Sequence, residues 1–398
     1  MNFNLFIAKR YLFSKREIKF ISFINLISVI GIAAGVTALI IVLSILNGFQ
    51  EITEEKIISF DPHLIINTKI DNPNLIKFLD ENSEVLTYSK VKSGDIALLF
   101  AKNFSFLKLK SYVDTDDEMM DYFNNSIVIG KESNDQGMPN VILGLGISNS
   151  LKIFPGNIID IYSADMIEYN IRTYRTVKPV KAYVSGIFQS NNLEYDNYLC
   201  IGNHLLAEKL YKSTKSQSIE VKVENPYQIN KFKEKYNDIL KNSTLTSWLD
   251  LNSGLLKIMK FEKISTFIIL SLIIVIAVFN LLASLSMTVE NKLKDIGILK
   301  SIGLTNKDIK IIFQYEGLLN GVIGTLIGLA VGLALCYLQI NYELIQFDIA
   351  NVISNTLPIS INMADILLIV IASVGLSYLS IIYPADKASK LIISDTFR

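Results

Sequence analysis

The chain alternates between long runs without charge and stretches that carry many charges. No residue between Lys19 and Glu51 is charged, and the same holds from Ile264 to Val289, from Gly317 to Tyr342 and from Ile366 to Ala385. A helix needs about 20 apolar residues to cross about 30 Å of hydrocarbon, so each run is long enough to span a bilayer. The first exceeds one crossing, which predicts tilt or an extension beyond the bilayer. Its apolar length is also too great for a cleaved signal peptide. The pattern between the first two runs is different. Residues 158–162 and 182–188 are rich in β-branched and aromatic residues and read as strands. Over 226–240, Tyr227, Ile229, Phe232, Tyr236 and Leu240 form an apolar stripe at roughly helical spacing. Pro155-Gly156-Asn157 reads as a turn. Residues 51–263 therefore predict a mixed α/β domain with its own core, strands and helices interleaving as in two small subdomains. The predicted fold class is a membrane protein with four transmembrane α-helices and one large α/β domain between helices 1 and 2.

Lys and Arg set the orientation. Lys9, Arg10, Lys15, Arg16 and Lys19 come before the first span, and Lys292, Lys294, Lys300, Lys307 and Lys310 lie between the second and third. Lys387, Lys390 and Arg398 follow the fourth, whereas residues 343–365 hold none. Residues 51–263 hold the other 25 basic residues, but long domains translocate regardless of charge. The expected order is a cytoplasmic tail (1–19), a span (20–50), an outer domain (51–263) and a second span (264–289). A cytoplasmic loop (290–316), a third span (317–342), a short outer loop (343–365), a fourth span (366–385) and a cytoplasmic tail (386–398) follow. Both termini are expected in the cytoplasm.

Half of the 398 residues are hydrophobic and mean hydropathy is positive, which agrees with a membrane class. A net charge of zero gives no reason to expect nucleic acid. Cys200 and Cys336, the two cysteines, make neither a disulfide framework nor a CxxC pair. The chain has no GxxxxGK[ST], HExxH or GxSxG, and Gly144-Leu145-Gly146 lacks the third glycine of a dinucleotide loop and reads as a turn. His204 and Glu208 stand four apart, but no third ligand accompanies them, so no metal is expected. The four charge-free runs offer no proton relay, and neither catalytic residues nor enzyme activity are expected.

Two local patterns are more specific. Gly317, Gly321, Gly324, Gly328 and Gly332 share one face of the third span, which permits close helix approach within the chain or to another subunit; Gly is also simply common in membrane helices. In the loop after the second span, Leu293, Ile296, Leu299 and Ile302 recur every three residues. Gly303 suits a helix stop, and Thr305 with Asp308 resembles a capping box. This predicts a short amphipathic helix whose apolar face its own chain leaves uncovered. Such a helix either lies on the membrane surface or docks into a partner's groove.

That loop resembles the coupling segment of the FtsX-like permeases of ABC transporters. Residues 6–12 (FIAKRYL), 20–24 (FISFI), 27–32 (ISVIGI) and 42–49 (VLSILNGF), with Pro62-His63, resemble the lipoprotein-releasing LolC/LolE branch. Gly186-Ile187-Phe188, Leu193-Glu194-Tyr195-Asp196, Trp248, Tyr383-Pro384-Ala385 and Phe397-Arg398 extend the resemblance along nearly the whole chain. The resemblance implies a multi-pass inner-membrane permease with a MacB-like periplasmic domain. It implies a second permease, either a paralogue or a second copy, and an ABC ATPase dimer on separate chains that binds the ATP; this chain holds no cofactor. The implied substrate is a lipoprotein taken from the membrane and passed to a periplasmic lipoprotein chaperone. Glu290, Leu293, Lys294, Asp295, Ile296, Leu299, Lys300 and Gly303 are then expected at the ATPase. Leu46, Asn47, Phe49, Met259 and Phe267, at the outer ends of spans one and two, are expected to line a lipoprotein cavity. The polar stretch 163–179, with Tyr169, Arg172, Tyr174 and Arg175, is either a solvated hairpin or a hook that holds the chaperone. A mechanical regulator of wall hydrolases like the FtsX proteins, or a MacB-type drug or peptide exporter, are the alternative functions. A small outer domain typifies the former, and an ATPase fused to the permease typifies MacB.

The topology has a direct check. Cysteine introduced at position 131 should react with an impermeant thiol reagent on intact spheroplasts, and cysteine at position 300 should not. Labelling at 300 without labelling at 131 inverts the orientation.

Overall fold

A computed structural model describes residues 7, 19–67, 73–112, 126–131, 138–173, 178–190, 193–211, 217–240, 243–346 and 356–390. Lys9, Arg10, Lys15, Arg16, Tyr174, Arg175, Phe397 and Arg398 lie outside the described residues, as does the Tyr169 side chain. The chain divides into two compact units, one of Met1–Ile52 with Lys257–Arg398, the other Thr53–Leu256.

The first unit is built on long helices. α1 (Lys19–Phe60), α2 (Ser253–Asn291), α4 (Asn306–Tyr342) and α5 (Met363–Ser389) each contain one of the charge-free runs, and each is long and apolar enough to cross a membrane. α3 (Leu293–Ser301) is a short helix between α2 and α4. Local chemistry sets several ends. Gly303 adopts φ +109°, open to glycine but rarely to other residues, and stops the chain after α3. Thr305 and Asp308 then exchange capping hydrogen bonds at the start of α4: Asp308 N donates to Thr305 Oγ1 at 3.2 Å and Thr305 N to Asp308 Oδ2 at 3.0 Å. Asn362 caps α5 by accepting from Ala364 N at 2.9 Å.

The glycines of α4 face partners within this chain. A Cβ on Gly317 would lie 2.6 Å from Ile381 of α5 and from Leu285 of α2, and one on Gly321 would lie 2.5 Å from Ser377. Gly324, Gly328 and Gly332 meet α1 at Ile32, Val36 and Ile40 instead, with contacts a Cβ would close to 3.0, 2.8 and 3.1 Å. Hydrogen bonds cross the same seams: Thr37 Oγ1 donates to Gly328 O at 3.0 Å, and Thr325 and Ser373 hydroxyls lie 2.8 Å apart. One carboxyl group is buried here as well. Glu316, the residue before the charge-free run of α4, is 1% exposed.

Among the described residues the second unit is a ten-stranded sheet with helices. Its strands are β1 (Leu64–Asn67), β2 (Val85–Phe100), β3 (Asn103–Tyr112), β4 (Ile127–Gly130), β5 (Asn140–Gly144), β6 (Ile158–Ser163), β7 (Val180–Phe188), β8 (Leu199–Gly202), β9 (Gln217–Val223) and β10 (Thr244–Ser247). The main order is β10-β1-β9-β2-β3-β8-β5-β7-β4, and β6 pairs with β2 and β7. The expected strands are β6 and β7. The expected helix at 226–240 forms as Pro226–Gln228, Ile229–Lys235 and Asn237–Leu240, interrupted at Tyr236. Rather than two separate subdomains, one sheet serves two main cores. Leu64, Ile66, Val221, Phe232 and Trp248 pack at the β1/β9/β10 end. Leu98, Leu109, Leu143, Ile161 and Val184 pack at the other, while Ile142 joins a smaller cluster with Phe188 and Ile201. β2, 16 residues long, joins the two ends, pairing with β9 over its first half and with β6 near its end.

The glycine contacts give a graded expectation. Gly321→Leu should lower the melting temperature of the detergent-purified protein, overpacking of this kind costing roughly 1–3 kcal/mol. Gly375→Ala should leave it unchanged or raise it, because a Cβ there meets nothing within 4 Å.

Candidate functional site

The loop between α2 and α4 folds against its own bundle, contrary to the expectation of an uncovered apolar face. Ile296 is fully buried and shares a core with Val289 of α2, Ile309 and Phe313 of α4, and Ala385 and Ala388 of α5. Leu299 packs on the same core and Leu293 is half-buried. The physical reason lies next door: the ends of α2, α4 and α5 supply a larger apolar surface than a helix of nine residues can leave unused. Several of the polar candidates are also engaged within the chain. Lys387 reaches Glu290 at 3.3 Å, Lys292 reaches Asp295 at 3.5 Å, and Lys300 donates to Ser389 O at 2.9 Å. Lys310 and Asp386 tie α4 to α5 at 2.9 Å. Of the expected stripe only Ile302, just past the end of α3, faces outward, beside Lys294, Ile298 and Ser301 and continued by Gly303. Ile298 is 49% and Ile302 73% exposed.

The five cavity candidates lie on α1 and α2. Leu46 and Phe267 pack against the bundle core, and Phe49 and Met259 are half-buried. Asn47 ties α1 to α5: its Nδ2 donates to Asp365 Oδ2 at 2.8 Å and lies 3.5 Å from Ser360 O. Asp365 also takes an ion pair from Lys263 of α2 at 2.7 Å. It sits in the first turn of α5, where a carboxylate is favoured by the helix dipole. Sequence reasoning missed this cluster, because Lys263 and Asp365 each stand just outside a charge-free run and read as boundaries.

The stretch 163–179 is not a plain hairpin. β6 and β7 do pair antiparallel, but the helix Ala164–Thr173 stands between them. Arg172 is exposed and pairs with Glu168 one turn earlier. His204 opens the helix His204–Leu210, and among the described residues no group of three His, Cys, Asp or Glu could hold a metal ion.

A buried polar cluster in the α/β unit was not anticipated at all. Asp61, His63, Glu220 and Lys222 are each 5% exposed or less. Asp61 accepts from Tyr195 and Asn252, and Lys222 donates to Ser59 O at 2.6 Å. Lys110 and the Tyr112 hydroxyl engage Glu220 at 3.0 and 3.3 Å. His63 Nδ1 lies 3.0 Å from Val223 N and 3.1 Å from Val223 O, and its Nε2 lies 3.1 Å from Ile58 O. Burial, with the nearby Lys222 ammonium, pushes His63 down to about 4, and burial pushes Lys222 down to about 8. Pro62-His63 and the stretch around Tyr195 were visible as sequence patterns, but nothing in their spacing showed that they meet.

A family model described as FtsX-like permease C-terminal matches residues 267–392. The lipoprotein-releasing system transmembrane protein LolC of Neisseria meningitidis serogroup B is 30% identical over 412 residues, covering 98% of this chain and 98% of that protein. This chain belongs to the LolC/LolE family. The lipoprotein-releasing system transmembrane protein LolE of Haemophilus influenzae is 26% identical over 411 residues, again 98% of each chain. Among solved structures, the periplasmic region of MacB from Actinobacillus actinomycetemcomitans aligns with 48% of this chain and 91% of its own at 11% identity, with a TM-score of 0.32. In this LolC/LolE family member, the FtsX-like segment takes in most of α2 and all of α3, α4 and α5.

The buried histidine predicts how stability follows pH. An unfolded histidine gains its proton near pH 6.5, whereas folded His63 gains it only near 4, so unfolding takes up a proton between those values. The contribution is complete above about pH 6.5 and is lost as pH falls toward 4, on the order of 3 kcal/mol across the window. The melting temperature of the wild-type protein should fall more steeply from pH 6.5 to 4.5 than that of His63→Gln. Parallel curves would remove His63 as the cause.

Proposed function

We propose that this chain is the permease subunit of an ABC transporter that extracts lipoproteins from the inner membrane and passes them to a periplasmic chaperone, driven by ATP hydrolysis on a separate subunit. The observation that carries the reading is full-length similarity to a lipoprotein-releasing LolC. The helices suited to crossing a membrane, four among the described residues, and the α/β unit between the first two of them agree with it. In this reading α3 is the contact for the ATPase. The docking residues are Ile298 and Ile302, flanked by Lys294 and Gly303, because these face outward, whereas Ile296 and Leu299 fasten α3 to the bundle. An exposed isoleucine pair one turn apart on a short helix suits a groove on a partner. Lys300 then ties α3 to α5 through Ser389 O, while Asp295 pairs with Lys292 just before α3 and Glu290 joins the end of α2 to Lys387 of α5.

Movement of α3 under the ATPases would reach α2, α4 and α5 directly, since Ile296 shares one core with all three. Leu46, Phe49, Met259 and Phe267 are the residues we assign to the acyl chains. The cluster of Asn47, Lys263 and Asp365 would set how far α1, α2 and α5 can part near them. The helix Ala164–Thr173 with Arg172 is the part of the 163–179 stretch we assign to the chaperone.

Aspartate substitutions separate the two faces of α3. Ile302→Asp should leave the permease abundant in the membrane while abolishing copurification of the ATPase, because burying an unpaired charge in the groove costs several kcal/mol. Ile296→Asp should reduce the abundance of the permease itself. Normal ATPase copurification and lipoprotein release by Ile302→Asp would reject this docking face.

A further inference from the structure

The end of α1 and the start of α2 are brought together by the topology of the sheet. α1 ends at Phe60 and β1 begins at Leu64, while β10 ends at Ser247 and α2 begins at Ser253. β1 and β10 pair antiparallel with Leu64 opposite Ser247, so the chain leaves one helix beside the place where it joins the other. Asp61 stands between them at 3% exposure. Its carboxylate accepts from Tyr195 OH at 2.6 and 2.7 Å and from Asn252 Nδ2 at 3.2 Å. Asn252 is the residue before α2, and its amide also donates to Trp248 O at 3.0 Å. Tyr195 belongs to the helix Leu193–Tyr198, and its ring stacks on Phe60, the last residue of α1, at 4.9 Å.

The last carbonyls of a helix lack intrahelical partners and are open to capping or fraying. Two at the end of α1 are taken by the sheet: Lys222 of β9 donates to Ser59 O, and the His63 ring meets Ile58 O. A cation at a helix C-terminus is favoured electrostatically. The whole arrangement is nonetheless an unusual way to hold two chain segments, since apolar residues of similar volume would hold them without burying charge. What a carboxylate held by two donors adds is direction. Removing one donor leaves a buried acceptor short of a partner, so the ends resist sliding as well as separation.

We propose that Asp61, Tyr195 and Asn252 form a rigid joint that fixes the end of α1 and the start of α2 at one distance and orientation throughout the transport cycle. The proposal rests on the reading of this chain as a transport permease. The three are positioning residues, which act through the helix ends and have no role in binding nucleotide or acyl chains. Without the joint, displacement of one helix would be absorbed in its own last turn.

The test uses the full-length permease assembled with its ATPase in nanodiscs, with spin labels at positions 55 and 255. In the wild type the distance distribution should be narrow, and the same in the nucleotide-free and vanadate-trapped states. Tyr195→Phe keeps the ring stacked on Phe60 but loses the hydroxyl, and Asp61→Asn loses the charge. Both should broaden the distribution and lower the lipoprotein released per ATP hydrolysed by roughly tenfold, the scale set by losing a hydrogen bond to a charged group. A purely structural role would lower melting temperature and abundance while leaving release per ATP unchanged, and would overturn the proposal. A wild-type distance that changes between the two states would overturn it too. If the wild-type complex releases no lipoprotein, the transport reading fails, and the distances still decide whether the joint is rigid.

Discussion

Helices inside a bilayer gain little by hiding apolar surface from one another, because lipid tails are as apolar as leucine. Close approach of backbones is the interaction that remains, and α4 supplies it. Gly317 and Gly321 admit α5 and α2, and Gly324, Gly328 and Gly332 admit α1. Thr37 can reach Gly328 O, and Thr325 can reach Ser373, only because the helices are this close. With α4 seated against three neighbours, the ends of α2, α4 and α5 form the apolar surface on which Ile296 is buried. The orientation of α3 follows from that packing.

The ends of the bundle are secured in a different way. Lys300, Lys310 and Lys387 lie against Ser389 O, Asp386 and Glu290, and Lys263 lies against Asp365. Lys300 makes a hydrogen bond to a carbonyl, and ion pairs such as the other three are each worth about 0–1 kcal/mol when exposed, so their contribution is register more than strength. Each joins residues that are far apart in sequence, and together they fix which turns of the helices stand level.

The long elements were legible in the sequence because their signal is local. The four charge-free runs became α1, α2, α4 and α5, the Thr305–Asp308 cap begins α4, and residues 158–162 and 182–188 became β6 and β7. The failures come from pairing across distance. Leu293, Ile296 and Leu299 have the spacing of an amphipathic helix, but spacing cannot say whether its apolar side meets a partner or the same chain. Lys263 and Asp365 marked the limits of spans, and their mutual attraction was invisible. The buried cluster around Asp61 draws on residues from 61 to 252, each of them ordinary beside its own neighbours in sequence. The single sheet was equally hidden, because β2 looks like one strand whether it serves one core or two.

The pairing of β1 with β10 also governs the order in which the chain can fold. Residues 64–67 wait for residues 244–247, so that pair closes one of the longest loops in the sheet. Such pairings are slow, because chain entropy is lost before contacts reward it. During synthesis, β1 emerges early and stays an open strand edge until nearly the whole α/β unit has been made. β10 is followed at once by Trp248 and then α2, so the last strand to complete the sheet is made immediately before the second apolar helix. Closure of the sheet and delivery of α2 to the membrane are therefore neighbouring events in the making of the chain.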